Sequence, residues 1–434
     1  MLAEHREAAG DHHQAGITFV RAGDIARSRY ANLMASEYYE RGLAMLDEAA
    51  IALRINTFHN YGDVLQLIGR LDDALAAFEE MRTLAFRLDL EGKGGAAHNR
   101  IGRLYREIGS MDEAEEHLQV ALALFRSAND ERGVASTIDD IGKIYWLRGE
   151  YDGALEEMRE GLARREKLGD PRSIALSLNN LGVVLQDSGD FSGALVYFDK
   201  ALAIRREIGD LIGVVASLNN LGSVSRDLRA FDDALKLFHE ALEVANDIGD
   251  RNRLALILTN IGETHDANGQ PNKAIDVLRQ AEELCDELGD KLGLAEVLRA
   301  LGKAFMLQGD LVRARDCIGR AVDLFASVRS KVHLGSALRT LGEITAAGGW
   351  GAAHTKSARE YYARSVAIFE QTGNEIELAR TYKLYARFLR NEPEFVDDDG
   401  AQEEAADMDL RADEIFKRLQ VSVADRSGAH PATP

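Results

Sequence analysis

The sequence has almost no cysteine, almost no proline and no surplus of basic residues. Two cysteines in 434 residues, Cys285 and Cys317, make no disulfide framework. They fall at different phases of the repeat described below, so nothing argues for pairing them, and a reducing compartment is expected. Of the five prolines, Pro393, Pro431 and Pro434 lie near the C-terminal end. Pro171 and Pro271 sit at expected helix starts, where a missing N–H does little harm. No window approaches the ~18 apolar residues that a membrane helix needs. Met1 to His13 is polar and charged, without the apolar run of a secretion signal, so a soluble cytoplasmic protein is the default. Against 52 Lys and Arg stand 72 Asp and Glu, a formal net charge of −20. Such a surface stays soluble and repels nucleic acid. Phosphate-loop and dinucleotide fingerprints, CxxC and HExxH are all missing. His12 and His13 are adjacent and point ~100° apart on a helix, a poor metal pair. No catalytic residue, metal or cofactor is expected.

What the sequence does have is a period. Glycine stands at 62, 102, 142, 182, 222, 262, 302 and 342, a spacing of 40 residues without drift. An apolar or aromatic residue precedes each one, from Tyr61 to Leu341, and alanine follows twelve residues later, from Ala74 to Ala314. A second glycine follows seven residues after the first in most units: Gly69, Gly109, Gly149, Gly189, Gly269, Gly309 and Gly349. Three columns in phase across eight units signify a repeat architecture.

Each unit reads as two helices. Within residues 170–210, Asp170 and Pro171 open a helix whose apolar stripe is Ile174, Leu178, Leu181 and Leu185. Gly189 ends it, Asp190 caps the next, and Phe191, Leu195, Phe198, Leu202 and Ile204 form its apolar face up to Gly209. Glycine inside a helix costs ~1 kcal/mol of propensity, which the close approach of a partner helix offsets, with Ala194 and Ala201 helping from the other side. One pair cannot bury its own apolar face, so the units must stack. The expected organisation is a solenoid over 1–390, with an irregular first unit at 5–50, eight regular units over about 51–372 and a tenth starting at 377. An acidic linker at 391–401, a terminal helix at 402–420 and a disordered tail at 421–434 follow. In the first unit Gly16 and Gly23 are taken as the two glycine columns, which implies a seven-residue insertion before Ala35; a four-residue insertion falls around Trp350 to Lys356. The acidic stretch Glu392 to Asp399, with Phe395 and Val396 at its centre, reads as a spacer or as a segment that occupies the molecule's own groove.

The columns Leu181, Gly182, Leu185, Gly189, Ala194, Phe198 and Ala201 resemble the tetratricopeptide motif. The 40-residue period resembles its long-helix subclass, which includes Pins-type spindle orientation adaptors, kinesin light chain and bacterial peptide-sensing regulators. The runs Ser177 to Gly182 and Ile204 to Asp210 look most like the Pins-type units. The resemblance implies an all-α, right-handed superhelical solenoid of about ten helix pairs, whose first helices line a concave groove.

Mapped onto those groove columns, two features stand out. Asn180, Asn220 and Asn260 repeat at one position, with Asn179 and Asn219 beside them; Asn60 and Asn99 belong to the same columns. An amide donates and accepts at once, so this ladder suits the backbone of an extended peptide or, equally, bonds between repeats. The second feature is basic: Arg100, Arg103, Arg106 and Lys143 in one stretch, Arg299, Lys303 and Arg339 in another, and Arg226 between them. These side chains focus an acidic ligand or pair with nearby carboxylates such as Asp139, Asp140 and Glu107. The leading expectation is a non-catalytic scaffold binding a protein or extended peptide of acidic character, with no nucleic acid and no membrane. The alternative is a sensory module that binds a small signalling peptide or metabolite, as part of a larger bacterial regulator.

Overall fold

The computed structural model describes residues 2–29, 31–348 and 352–419, and these form twenty-one helices with no strand. A short helix α1 (Leu2–Ala8) precedes ten pairs. They are α2 (His12–Ser28) with α3 (Asn32–Met45), α4 (Ile51–Leu67) with α5 (Leu71–Arg87), α6 (Glu91–Ile108) with α7 (Met111–Ser127), and α8 (Glu131–Arg148) with α9 (Tyr151–Leu168). Then come α10 (Pro171–Asp187) with α11 (Phe191–Glu207), α12 (Leu211–Asp227) with α13 (Phe231–Asp247), and α14 (Arg251–Ala267) with α15 (Pro271–Leu288). The last are α16 (Lys291–Gln308) with α17 (Leu311–Ser327), α18 (Lys331–Ala347) with α19 (Ala352–Thr372), and α20 (Glu375–Asn391) with α21 (Asp399–Arg418). The chain divides into two compact units, 1–144 and 145–434, each treated by itself below.

The glycine inside each first helix is where the pair meets. A Cβ added at Gly182 would lie 2.6 Å from the Phe198 ring, at Gly62 2.4 Å from Phe78, and at Gly302 2.5 Å from Ile318. Every one of these contacts spans sixteen residues. Gly342 meets Tyr362 instead, twenty residues on, which is the four-residue insertion seen in three dimensions. The same register corrects the first unit. Gly23 lies mid-helix and opposes Tyr39, sixteen residues on, with Ala35 twelve residues on, so Gly23 and not Gly16 is the close-approach glycine and no insertion is needed. Gly16 packs on the backbone of Gly42.

The turns follow from the second glycine column and the aspartates. Gly189 and Gly269 take φ of 86° and 69°, the left-handed region that ends a helix cheaply in glycine. Arg229 stands where that column lacks glycine and is held at φ 60°. Asp190, Asp210, Asp250, Asp290 and Asp310 each accept a hydrogen bond from the backbone N–H three residues on, capping the next helix. Asp170 makes no such cap bond, although Pro171 does occupy the first turn.

In the second unit the ends meet. Gly149, at its first turn, lies against Ile376 and Leu419, and a Cβ there would be 3.0 Å from the Ile376 side chain. Tyr151 packs into the terminal cluster of Ile376, Tyr382, Tyr385 and Phe388. The expected linker is shorter than drawn, because Asp398 accepts from the N–H groups of Gly400 and Ala401 and starts α21 at Asp399. Phe395 does not reach a groove: it is buried edge-on against Phe388 and beneath the Arg359 guanidinium. Gly349, Trp350 and the tail from 421 lie outside the described residues. Cys285 and Cys317 are buried and free.

Two substitutions separate the roles of the two glycine columns. Gly182→Leu should lower the urea midpoint by an amount equivalent to about 1–3 kcal/mol, because Phe198 must move. Gly269→Ala has nothing within 4 Å of the new methyl, so it should cost only the left-handed backbone term, about 1 kcal/mol. Equal losses from both would contradict this assignment.

Candidate functional site

The polar residues expected to serve a ligand all lie on first helices, and each unit is taken by itself. In the first unit the first-helix face is ionic. Asp140 on α8 is 1% exposed and receives three cations: Arg103 Nε at 2.5 Å, Lys143 Nζ at 3.3 Å and Arg106 Nη1 at 3.4 Å. Burial alone would push its carboxyl up, but Arg103, Lys143 and Arg106 together hold it down to about 2. Arg103 also donates to Ser136 Oγ at 2.9 Å. On α6, Arg100 pairs with Asp63 at 3.2 Å and touches His59 Nε2 at 3.2 Å. Beside these groups opens a cleft of ≈ 680 Å³, lined among others by Lys93, Arg100, Arg103, Phe125 and Ser136. Lys93 adds a further positive charge and donates only to the neutral Asn56 amide at 2.9 Å. One carboxylate faces three cations at Asp140, while Asp89, Glu91 and Asp130 also line the cleft, so the cation surplus is local to Asp140.

The asparagines hold the repeats to one another. Asn220 donates to Asn179 Oδ1 at 3.0 Å, and Asn260 donates to Asn219 Oδ1 at 2.7 Å. Asn99 donates to Asp140 and Thr137, both at 3.2 Å, and Asn60 to Asp24 at 3.1 Å. Arg205, buried on α11, ties Asn179 to Ser217 and the Gly213 carbonyl. Asn60, Asn99, Asn179, Asn219, Asn220 and Asn260 thus each take part in a bond between repeats. Asn180 differs, since its buried amide nitrogen has no hydrogen-bond partner.

In the second unit most cations are closed by neighbours. Arg226 pairs with Glu263 at 3.0 Å, Arg299 with Glu296 at 2.8 Å and Glu263 at 3.2 Å, and Arg339 with Glu377 at 2.7 Å. Lys303 makes no direct ion pair or hydrogen bond among the described residues. Burial and the adjacent Arg299 push its ammonium down to about 8. Asp266, 4% exposed and with Oδ1 unpartnered, is pushed up to about 6 by burial.

Asp140 was among the carboxylates the sequence offered to the basic cluster, whereas Asp63, Glu263 and Glu377 were not singled out although a signal existed for the first two. Asp63–Arg100, Arg103–Asp140 and Arg226–Glu263 are each separated by 37 residues, one period less one helical turn. Asp266 and Lys303 share that offset but do not close. The contact of His98 with His117, 3.2 Å between Nδ1 atoms, gave no signal, because it joins two helices of one pair. No group of three or more His, Cys, Asp or Glu among the described residues could hold a metal, and no described helix is long and apolar enough to cross a membrane.

Comparison with known proteins follows this geometry. The model of the tetratricopeptide repeat matches residues 53–127, 95–167, 134–207 and 213–287. A search of curated proteins found no match. Three solved structures resemble the chain. One is a Rap protein complexed with competence and sporulation factor: 16% identity, 84% of this chain and 99% of that one, TM-score 0.57. Another is the apo form of the quorum sensor NprR from B. thuringiensis: 16%, 72% and 87%, 0.54. The third is the Rap conjugation gene regulator of the plasmid pLS20 in complex with the Phr* peptide: 14%, 85% and 96%, 0.53. At these identities the likeness is one of fold.

The three-to-one cluster has two measurable consequences. Asp140→Asn should destabilise the α6–α8 region by about 1–3 kcal/mol, since it removes the shared partner of three half-buried cations, and hydrogen exchange would locate the loss. Because the folded Asp140 value lies below its ordinary 3.8, its contribution is present above that pH and lost as pH falls towards 2. The amount is about 2 kcal/mol. An acid limb unchanged by Asp140→Asn would show that the carboxylate carries no such term.

Proposed function

Because the chain belongs to the tetratricopeptide repeat family, we propose that it is a non-catalytic regulatory module that binds a short or extended acidic peptide on the face of its first helices. The observation that carries this reading is the Asp140 cluster. Arg103, Arg106 and Lys143 share one carboxylate, and Arg103 also lines an open cleft in which Lys93 and Arg100 share the lining with Asp89, Glu91 and Asp130, so an incoming carboxylate is favoured at the Arg103 end of that cleft. Arginine supplies the planar fork that suits a carboxylate.

A sensory role is preferred to that of a plain scaffold. Among the kinds of protein the motif resembles, the bacterial peptide-sensing regulators are the ones with support from likeness of fold: one of those structures holds a peptide and another is a quorum sensor. Resemblance to Pins-type adaptors and kinesin light chain has no such support. The groove residues Asn60, Asn99, Asn179, Asn219, Asn220 and Asn260 enter this proposal as the bonds that set the spacing of the first helices, and Arg100, Arg103, Arg106 and Lys143 as the groups that meet the ligand.

The test compares wild type with Arg103→Ala/Lys143→Ala for retention of acidic and charge-neutral peptides from a defined synthetic library, read by mass spectrometry at low and high salt. Wild type should retain the acidic set, less so at high salt. The variant should bind that set about tenfold more weakly, as expected for lost charge-assisted bonds. Equal retention of acidic peptides by both proteins would sink the assignment.

A further inference from the structure

In the second unit the first-helix face changes character along the stack. Six residues before the close-approach glycine stand Leu176 on α10, Ala216 on α12 and Leu256 on α14. The two leucines are 46% and 53% exposed. In the first unit the same column holds Ala96 and Ser136, both lining the cleft, and further on it holds Glu296, which pairs with Arg299. The column therefore looks onto the ligand side, where two large aliphatic side chains stand uncovered with only a methyl between them.

On the next first helix, α16, stands Lys303. Arg226, Arg299 and Arg339 on this face are closed by Glu263, Glu296 and Glu377, and Lys303 alone of this group has no direct partner. Its counterpart by register, Asp266, stays apart with Oδ1 unpartnered. Glu263, Glu343 and Asp266 stand near enough to act on the Lys303 charge without pairing with it, as Arg299 and Arg339 do in the opposite sense; an uncovered aliphatic pair followed by an ammonium with no direct counterion describes the complement of a particular segment.

The spacing follows from helix geometry. Neighbouring first helices lie roughly 10 Å apart, so Leu176 and Leu256, two helices apart, are separated by about 20 Å, or about six residues of extended chain. An even spacing turns both side chains the same way. Lys303 lies one helix further and about two turns along, roughly 14 Å from Leu256, or about four extended residues.

We propose that the second unit reads an extended segment carrying two aliphatic side chains about six residues apart and a carboxylate about four residues beyond one of them, the aliphatic groups seating on Leu176 and Leu256 and the carboxylate on Lys303. This deepens the peptide-binding reading but rests on residues of the second unit alone. Carboxylate binding holds the proton on Lys303, so affinity falls as pH rises through its free value of about 8.

The probe is a fluorescein-labelled Ser/Ala peptide of about sixteen residues, with two leucines about six apart and a glutamate about four beyond each, so that chain direction does not matter. Fluorescence anisotropy is read with the full chain, with matched circular dichroism melts as the folding control. Leu176→Ser/Leu256→Ser should weaken binding about tenfold or more. Lys303→Gln should weaken it similarly for the glutamate probe, yet bind a probe with both glutamates changed to glutamine as wild type does. Wild type that fails to bind the probe overturns the inference, as do Leu176/Leu256 variants that match wild type or an indifference of wild type to glutamate against glutamine. Any of these results leaves the first-unit reading standing, since Arg103→Ala/Lys143→Ala tests that separately.

Discussion

The close approach of two helices at a glycine is the constraint on which the rest depends. With no Cβ at Gly182, the Phe198 ring sits where a side chain would otherwise be, and the same contact recurs at Gly62, Gly102, Gly222, Gly262 and Gly302. It sets how far one helix of a pair stands from the other and hence the distance to the next pair. The ladder of Asn179 to Asn220 and Asn219 to Asn260 forms only at that spacing. So do the ion pairs that step from one first helix to the next. The glycine column thus acts on function at one remove, by fixing the pitch at which polar groups meet.

The polar groups on the first helices differ in chemistry between the two units. In the first it is a surplus of cations gathered on Asp140, where the low dielectric around a buried carboxylate makes each charge count. In the second it is a compensated lattice with one open cation and an aliphatic strip. A face that pairs most of its own charges gains specificity from the few it leaves open, because only those reward an incoming group.

Much of this was legible in the sequence. The period, the two helices per unit and the roles of both glycine columns could be read from residue spacing alone, because close packing and left-handed turns each admit few residue types. The first unit was misread at Gly16 and Gly23 because both are seven residues apart, as in the later units, and only the partner of each, Gly42 or Tyr39, tells them apart. The basic cluster was visible and Asp140 was among the carboxylates offered to it with Asp139 and Glu107, but the spacing that singles it out, one period less a turn from Arg103, went unread. The asparagines show the limit of such reading: an amide column suits a ligand and a neighbouring repeat alike, and only coordinates decide which one it touches. Leu176 and Leu256 were passed over as ordinary apolar residues, since exposure is not written in a side chain's identity.

Stacked repeats ordinarily gain or lose members freely, because each touches only its neighbours. The contact of Gly149 and Tyr151 with Ile376 and the terminal aromatic cluster removes that freedom from the second unit. Duplicating or deleting one forty-residue member between them would carry the last pair past its seat and strip the cover from both surfaces. The membership of this part of the chain is therefore locked by its own ends, and length variation among homologous genes should be confined to the flanks, outside Gly149 to Leu419.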